Sequence, residues 1–454
     1  MSRLRSSIEP SFRVPSPEPA RPIPPPDRVR RLLSVIVLLG AAAVPVFIAR
    51  GGYDEVRLPK ELALYAVAIA AAAIAGAGAV LRKFRVEAGE RARLRAPIIV
   101  AAAGLGWTIV ATLTSTNRML SGGALIWVAS LAVVFFVSAH ALRHVSLRVV
   151  AAAVLLPALV NTLVVSLQAL RIWNPWTFPP NTPPRLFHNA LLGNPDDVGA
   201  YLSAPALFCL AAALATKGRW RVLYAAAGCA LLIGVLLSET LTAIFALTAA
   251  AIALTLINNR RTGIIVAVVI AVLASTVLLA YRPLNDRVFL LFRAARAGHW
   301  GTVTIGRLVP IVAAANMFAD HPVTGVGPGC FKFNYLPYHI AVKRDRPELT
   351  TRTPTRGINF AETHNDHAQI LAEAGFPAYG ATVAALLLLA SVSWRRDAIA
   401  AHERARLTRL LAFPFSVLVA VMMLAQFPWH LAAPAYTYVF IAGACFAWSE
   451  RDPA

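Results

Sequence analysis

Charge is what this 454-residue chain has least of: 14% of its residues are Asp, Glu, Lys or Arg, against 58% apolar. A soluble domain must meet water with a polar shell, and so few charges exclude one. Cysteine is scarce too, four in all, which is no disulfide framework. Cys209, Cys229 and Cys445 fall inside apolar runs, and Cys330 stands alone in a polar stretch. No His/Cys/Asp/Glu group has metal-ligand spacing, so neither a metal nor another cofactor is expected. Acid is the rarer sign, 22 residues against 43 Lys and Arg, for a net charge of +21. In a soluble chain that excess would point to nucleic acid. Here most of the arginines flank apolar runs, where they set membrane topology, and no nucleic-acid partner is expected.

Long apolar sequence is what the chain has in plenty, with a mean hydropathy of +0.62. Runs of about 18 or more apolar residues recur, each long enough to cross a hydrocarbon core of roughly 30 Å. They lack strand-like alternation and read as helices, which satisfy their own backbone hydrogen bonds in lipid. Spans are expected near 32–49, 61–81, 96–113, 123–141, 149–170, 197–215, 222–237, 240–257, 262–281, 372–393, 407–425 and 430–448. The expected fold is an all-α integral membrane protein of about 12 transmembrane helices. Residues 1–31 form a Pro/Arg-rich cytoplasmic tail expected to be disordered, and the first span reads as an uncleaved signal anchor. Nine helices fill 32–281, a large extracytoplasmic loop with short surface helices fills 282–371, three helices fill 372–448, and 449–454 returns to the cytoplasm.

The connections alternate in charge. The tail, the even-numbered connections and the C-terminus carry 26 Lys and Arg, and the odd-numbered short connections carry 6. The positive-inside rule therefore puts both termini in the cytoplasm of a bacterial inner membrane. The loop 282–371 carries the other 11, an excess over acid that topology does not explain. A second odd-numbered connection, 171–196, is rich in Pro and Trp, including Trp173 and Trp176. These tryptophans fit either an interfacial belt or a stacking platform for sugars.

Chemistry gathers in the large loop. Arg287, Arg293 and Gly306-Arg307 precede a helix-like stretch to Phe318, whose apolar positions Leu308, Ile311, Val312, Ala315 and Phe318 would suit a helix lying on the membrane surface. Such arginines fit diphosphate, because the planar guanidinium binds phosphate oxygens in a fork and keeps its charge; contact with anionic lipid headgroups is the plainer alternative. Gly325-Val326-Gly327-Pro328-Gly329 lacks the strand of a nucleotide-binding loop and reads as a turn. At the loop exit stands His364-Asn365. A histidine takes a proton near neutral pH, as a general base must, although an interfacial histidine bonded to backbone fits the same position. Asp366, Gln369 and Glu373 share one helix face by spacing. An acid as deep as Glu373 is either functional or paired with a polar neighbour.

Taken in order, these segments resemble the O-antigen ligase and O-antigen polymerase family of membrane glycosyltransferases. The carriers are Gly193-Asn194-Pro195-Asp196 at the sixth span, Gly306-Arg307 with Asp320-His321-Pro322 and the glycine-rich turn, and His364-Asn365 with Gln369, Leu371, Ala372, Glu373 and Gly375. The resemblance implies transfer of a glycan from a polyprenyl-diphosphate-linked donor to the hydroxyl of a lipid or glycan acceptor, without a metal. It implies His364 as the base and Arg307 on the diphosphate, with Asn194, Asn365 and Glu373 in support. Ligase, with lipid A–core as acceptor, is the first expectation, and polymerase the second. One departure stands out: Ser-Arg-Gly-Ala of many members is Thr240-Leu241-Thr242-Ala243 here. Arg185, Arg287 and Arg293 are the candidates to replace the missing arginine. A transporter of lipid-linked sugar or of a small anion is the rival from another class. It would set charges at broken helices near the midplane, where these spans are almost bare.

Overall fold

In the computed structural model the apolar runs are helices, and five of them start at a polar cap. Asp27, Asn117, Ser146, Asn194 and Asn365 each accept a backbone N–H of the first turn, contacts worth about 1 kcal/mol apiece. The structure describes residues 27–51, 54–83, 86–179, 182–261, 263–265, 268, 282–304, 306–349, 360–394 and 403–449, the side chains of 282–288 excepted. The first eight helices are α1 Arg28–Ala43, α2 Arg57–Val80, α3 Ala88–Leu113, α4 Arg118–Ala141, α5 Leu147–Ala169, α6 Pro195–Ala215, α7 Gly218–Leu237 and α8 Leu241–Asn258. The large loop carries α9 Arg282–Arg296, α10 Leu308–Asp320 and α11 Phe331–Asp345, and α12 Asp366–Ser391, α13 Glu403–Met422 and α14 Ala432–Trp448 complete the chain.

Nine of these helices are long and apolar enough to cross a membrane, and no strand occurs among the described residues. The chain is an all-α, multi-pass membrane protein. Eleven of the twelve expected spans coincide with a described helix; most of 262–281 lies outside the described residues, as do 1–26, 350–359 with Arg352 and Arg356, and 450–454. Several boundaries move. The first helix begins at Arg28, where Asp27 caps it, and ends at Ala43 rather than 49; α3 begins at Ala88 rather than 96, and α12 at Asp366 rather than 372.

Burial differs sharply between helices. The apolar window of α6 is 83% buried, and that of α3 is 17% buried, so α6 is a central post and α3 faces the surroundings along most of its length. Two tyrosines deep in the bundle bond to backbone carbonyls, which relieves the cost of a hydroxyl where water is scarce. Tyr436 donates to the carbonyl of Val37 at 2.8 Å, and Tyr438 to that of Ala200 at 2.8 Å.

The large loop is sewn into a break in α12. Gly375 sits at φ 72°, ψ −177°, so its helix stops for one residue. Into the gap comes the glycine-rich turn. Val326 and Gly327 donate to the carbonyls of Ala372 and Glu373, each at 2.9 Å, and Phe376 donates to Pro322 at 3.0 Å. A Cβ on Gly375 would lie 1.9 Å from the Val323 carbonyl oxygen, and one on Gly325 2.3 Å from the Glu373 backbone. Only glycine allows that approach. The turn expected after α10 is present, and its work is to satisfy the freed carbonyls of a broken helix.

The odd-numbered connections meet at one end of the bundle. Arg57 at the start of α2 pairs with Glu362 in the large loop at 3.4 Å, and Thr116 before α4 donates to Val326. Asp196 at the head of α6 meets Arg307 and Thr240, and Asp366 donates its backbone N–H to Met423 after α13.

Candidate active site

Asp196 organises that end. It occupies the first turn of α6, positioned by the Asn194 cap and by Pro195 at the helix start. Arg307 donates to its Oδ2 at 2.7 Å, Arg185 donates to its Oδ1, and Thr240 reaches Oδ1 at 3.3 Å. Two guanidiniums on one carboxylate leave a positive charge uncompensated. Nε of Arg185 is also buried with no hydrogen-bond partner. Of the three arginines that sequence left open, Arg185 is brought beside Arg307, on the same carboxylate. Arg293 instead lies exposed on α9 with its guanidinium over the Phe289 ring, and the Arg287 side chain lies outside the described residues. Thr240, which begins the stretch that departs from the resembled pattern, is next to Asp196, while Leu241, at the position of the missing arginine, is exposed.

His364 stands between two aromatic rings, Phe427 at 4.9 Å and Phe360 at 5.8 Å between centroids. Its backbone is left-handed, φ 56°, a conformation that costs a non-glycine residue and is held by its surroundings. Nδ1 is buried with no hydrogen-bond partner. Burial, then the positive field of Arg307, pushes its pKa down to about 4. The ring is therefore neutral near pH 7, able to accept a proton, and not spent on a backbone bond.

Asn365 and Asn194 are caps. Asn365 accepts from Ala368 at 2.9 Å and donates to the Leu424 carbonyl. Glu373 is buried, and its carboxylate accepts from the backbone N–H groups of Gly329 and Phe331 at 2.9 and 3.0 Å and from Gln369 at 3.3 Å. It anchors the glycine-rich turn and the start of α11. The face shared by Asp366, Gln369 and Glu373 is present and buried. In α10 the buried stripe is Val309, Pro310, Ala313, Ala314 and Met317. Of the face expected to meet the membrane, Leu308 and Val312 pack against the same core, Ile311 and Phe318 are half-buried and Ala315 is exposed.

Sequence reasoning missed Arg57, Asp197 and the Asp366–His430 pair, joined at 2.8 Å. Two adjacent acids at the mouth of a span were the available signal for Asp196 and Asp197. Among the described residues no group of three or more His, Cys, Asp or Glu is arranged for a metal ion.

Residues 225–383 match the family model described as O-antigen ligase. This region, about a third of the chain, is similar to the O-antigen ligase family. The family match begins inside α7, takes in Arg307 and His364, and ends in α12. It stops short of Arg57, Arg185 and Asp196, which the fold supplies from other connections. No curated protein matches the chain. The match supports a membrane glycosyltransferase of the ligase and polymerase type, a family that implies lipid-linked glycan substrates in general.

Proposed function

We propose that the chain transfers a glycan from a polyprenyl diphosphate to an acceptor hydroxyl at the outer face of a bacterial inner membrane, with lipid A–core as acceptor. The observation that carries this reading is a neutral imidazole with an unpartnered nitrogen, close enough to Arg307 to feel its charge. An acceptor hydroxyl gives its proton to His364, and its oxygen bonds the anomeric carbon of the glycan. The bond from that carbon to the diphosphate breaks, and the lipid diphosphate leaves with the electron pair. Arg307 and Arg185 stabilise the charge that grows on it. Asp196 holds both guanidiniums in place beforehand, which saves ordering them at the moment of reaction. Because the donor is already activated, the scheme calls on no metal and no nucleotide. Positive-inside charge supports placing the site outside and both termini inside.

The test is reconstitution of the full chain in vesicles with extracted lipid-linked glycan and lipid A–core. The expected product is glycan-bearing lipid A–core. Deletion of the gene should remove all long chains from lipid A. A single capped repeat after deletion would make the chain a polymerase, and an unaltered surface profile would overturn the transferase reading.

A further inference from the structure

The left-handed backbone of His364, φ 56°, is one that a residue with a Cβ adopts only where its surroundings impose it. Two neighbours impose it here. The Thr363 hydroxyl reaches past His364 to both backbone groups of Asn365: it accepts from the N–H at 2.9 Å and donates to the carbonyl at 2.6 Å. Such a local side-chain bond closes a tight turn where the chain leaves regular structure. Thr363 is itself tied down, because its own N–H donates to the side-chain oxygen of Gln369 at 2.9 Å.

Gln369 is buried on α12, and both polar atoms of its side chain are engaged. Its nitrogen donates to Glu373 at 3.3 Å and lies 3.2 Å from Nε2 of His430. His430 meets Asp366 at 2.8 Å through its other ring nitrogen. Asp366 also accepts the Trp429 N–H at 3.1 Å and donates its own N–H to the carbonyls of Met423 and Gln426 at 2.9 and 3.3 Å. These bonds fasten the connection between α13 and α14 to the first turn of α12. Phe427 belongs to that connection, and its ring is the nearer wall of the slot that holds His364. One circuit of hydrogen bonds therefore fixes the backbone of His364 and the aromatic ring packed against it.

We propose that Thr363 and Gln369 are the positioning residues of the transfer reaction: they clamp His364 in its left-handed turn and so keep the imidazole in the slot between Phe360 and Phe427. Both act through His364, and neither reacts. This rests on the transferase reading above, and it adds how the base is set in place before substrate arrives. The clamp has a signature apart from turnover. In the slot His364 is kept neutral by burial and by the fields of Arg307 and Arg57, against the pull of Asp196. None of those charged groups belongs to the clamp. An imidazole that leaves the slot loses the burial and the positive field, so its pKa rises toward the ordinary histidine value of about 6.5.

The test follows modification of His364 by diethyl pyrocarbonate, which attacks the neutral ring, in the purified full chain. It is quantified by mass spectrometry of the peptide that carries His364, from about pH 8 to about pH 5. In the unaltered protein the reactivity of His364 should stay level over that range. In Gln369→Met, which keeps the length of the side chain and removes its hydrogen bonds, reactivity should fall away with a midpoint between about 6 and 7. Thr363→Val removes only the hydroxyl; it should shift the midpoint the same way, and it keeps the test open if Gln369→Met folds poorly. A substitution that merely loosened the bundle would lower the melting temperature without moving this midpoint. Turnover measured alongside should lose about tenfold or more in kcat, with the KM for donor unchanged. Profiles in both variants that match the unaltered protein overturn the clamp. An unaltered chain without turnover would instead overturn the function proposed above, and the titration of His364 would still decide the clamp.

Discussion

At the end of the bundle formed by the even-numbered connections, arginine, glutamate and histidine are matched. Arg30 donates to Glu90 at 3.0 Å, His140 meets the other oxygen of Glu90 at 2.5 Å, and Arg143 and Arg30 share Glu87. Arg404 adds a bond to the Arg143 carbonyl. At the opposite end the same residue types are left unmatched: two arginines on Asp196, a histidine nitrogen without a partner, and Asp197 with an open oxygen. The first arrangement pairs Glu87 and Glu90 with arginine and histidine and holds helices together, with Nε of Arg143 left without a partner. The second keeps charge and hydrogen-bonding capacity in reserve, as a site for an anionic, hydroxyl-rich substrate requires.

Substitutions at equivalent residues of the two ends sharpen that contrast. The largest effect is expected from His364→Ala, which should insert normally and lose glycan transfer by roughly 10²–10⁴-fold, the range for a general base. His140→Ala, at the matched end, should lower thermal stability and leave turnover per folded molecule intact. In the unaltered protein the reactive form of His364 is neutral. With its pKa near 4, the acid limb of kcat/KM should therefore appear as pH falls through about 4, well below the ordinary histidine value. A limb at 6–7 would mean that the free enzyme does not hold His364 as described.

Next comes Glu90→Gln. It leaves Arg30 and His140 buried without their shared counter-charge, a loss of about 3–5 kcal/mol, seen as a lower melting temperature in detergent with unchanged KM for donor. Arg307→Lys should act the other way round: stability retained, donor KM raised about tenfold because an ammonium cannot fork to two phosphate oxygens, acceptor KM unaltered. The smallest effect belongs to Arg293→Ala. Its guanidinium stacks on Phe289 away from Asp196, so donor KM should not move. A rise like that of Arg307→Lys would place α9 in the donor site.

Much of this was legible in the chain itself, and the misses have a common cause. Hydropathy alone locates the helices, because in lipid a span has few ways to satisfy its backbone. His364 and Arg307 were legible because local pattern marks them. Asp196 as their organiser was not, since Arg307 lies 111 residues away along the chain, and pairing over that distance is settled by packing. Arg185 could not be chosen over Arg287 and Arg293 for the same reason. The spacing in α10 revealed one apolar face, Leu308, Ile311, Val312, Ala315 and Phe318, but in a membrane protein both lipid and protein are apolar partners, so periodicity cannot say what that face meets. Glu373 read as a costly acid at depth. Its cost is met by backbone N–H groups of a turn that can reach it only because Gly325 and Gly375 admit the approach.

The sidedness of the unmatched end is open to direct measurement at Arg344, which is 76% exposed on α11 and paired only with its neighbour Asp345. Cys209, Cys330 and Cys445 are buried and Cys229 is exposed, so Arg344→Cys combined with Cys229→Ser leaves one thiol open to a membrane-impermeant maleimide. Labelling in intact spheroplasts is the predicted result. Labelling only after the membrane is broken would put the arginines and His364 on the cytoplasmic side and contradict glycan transfer at the outer face.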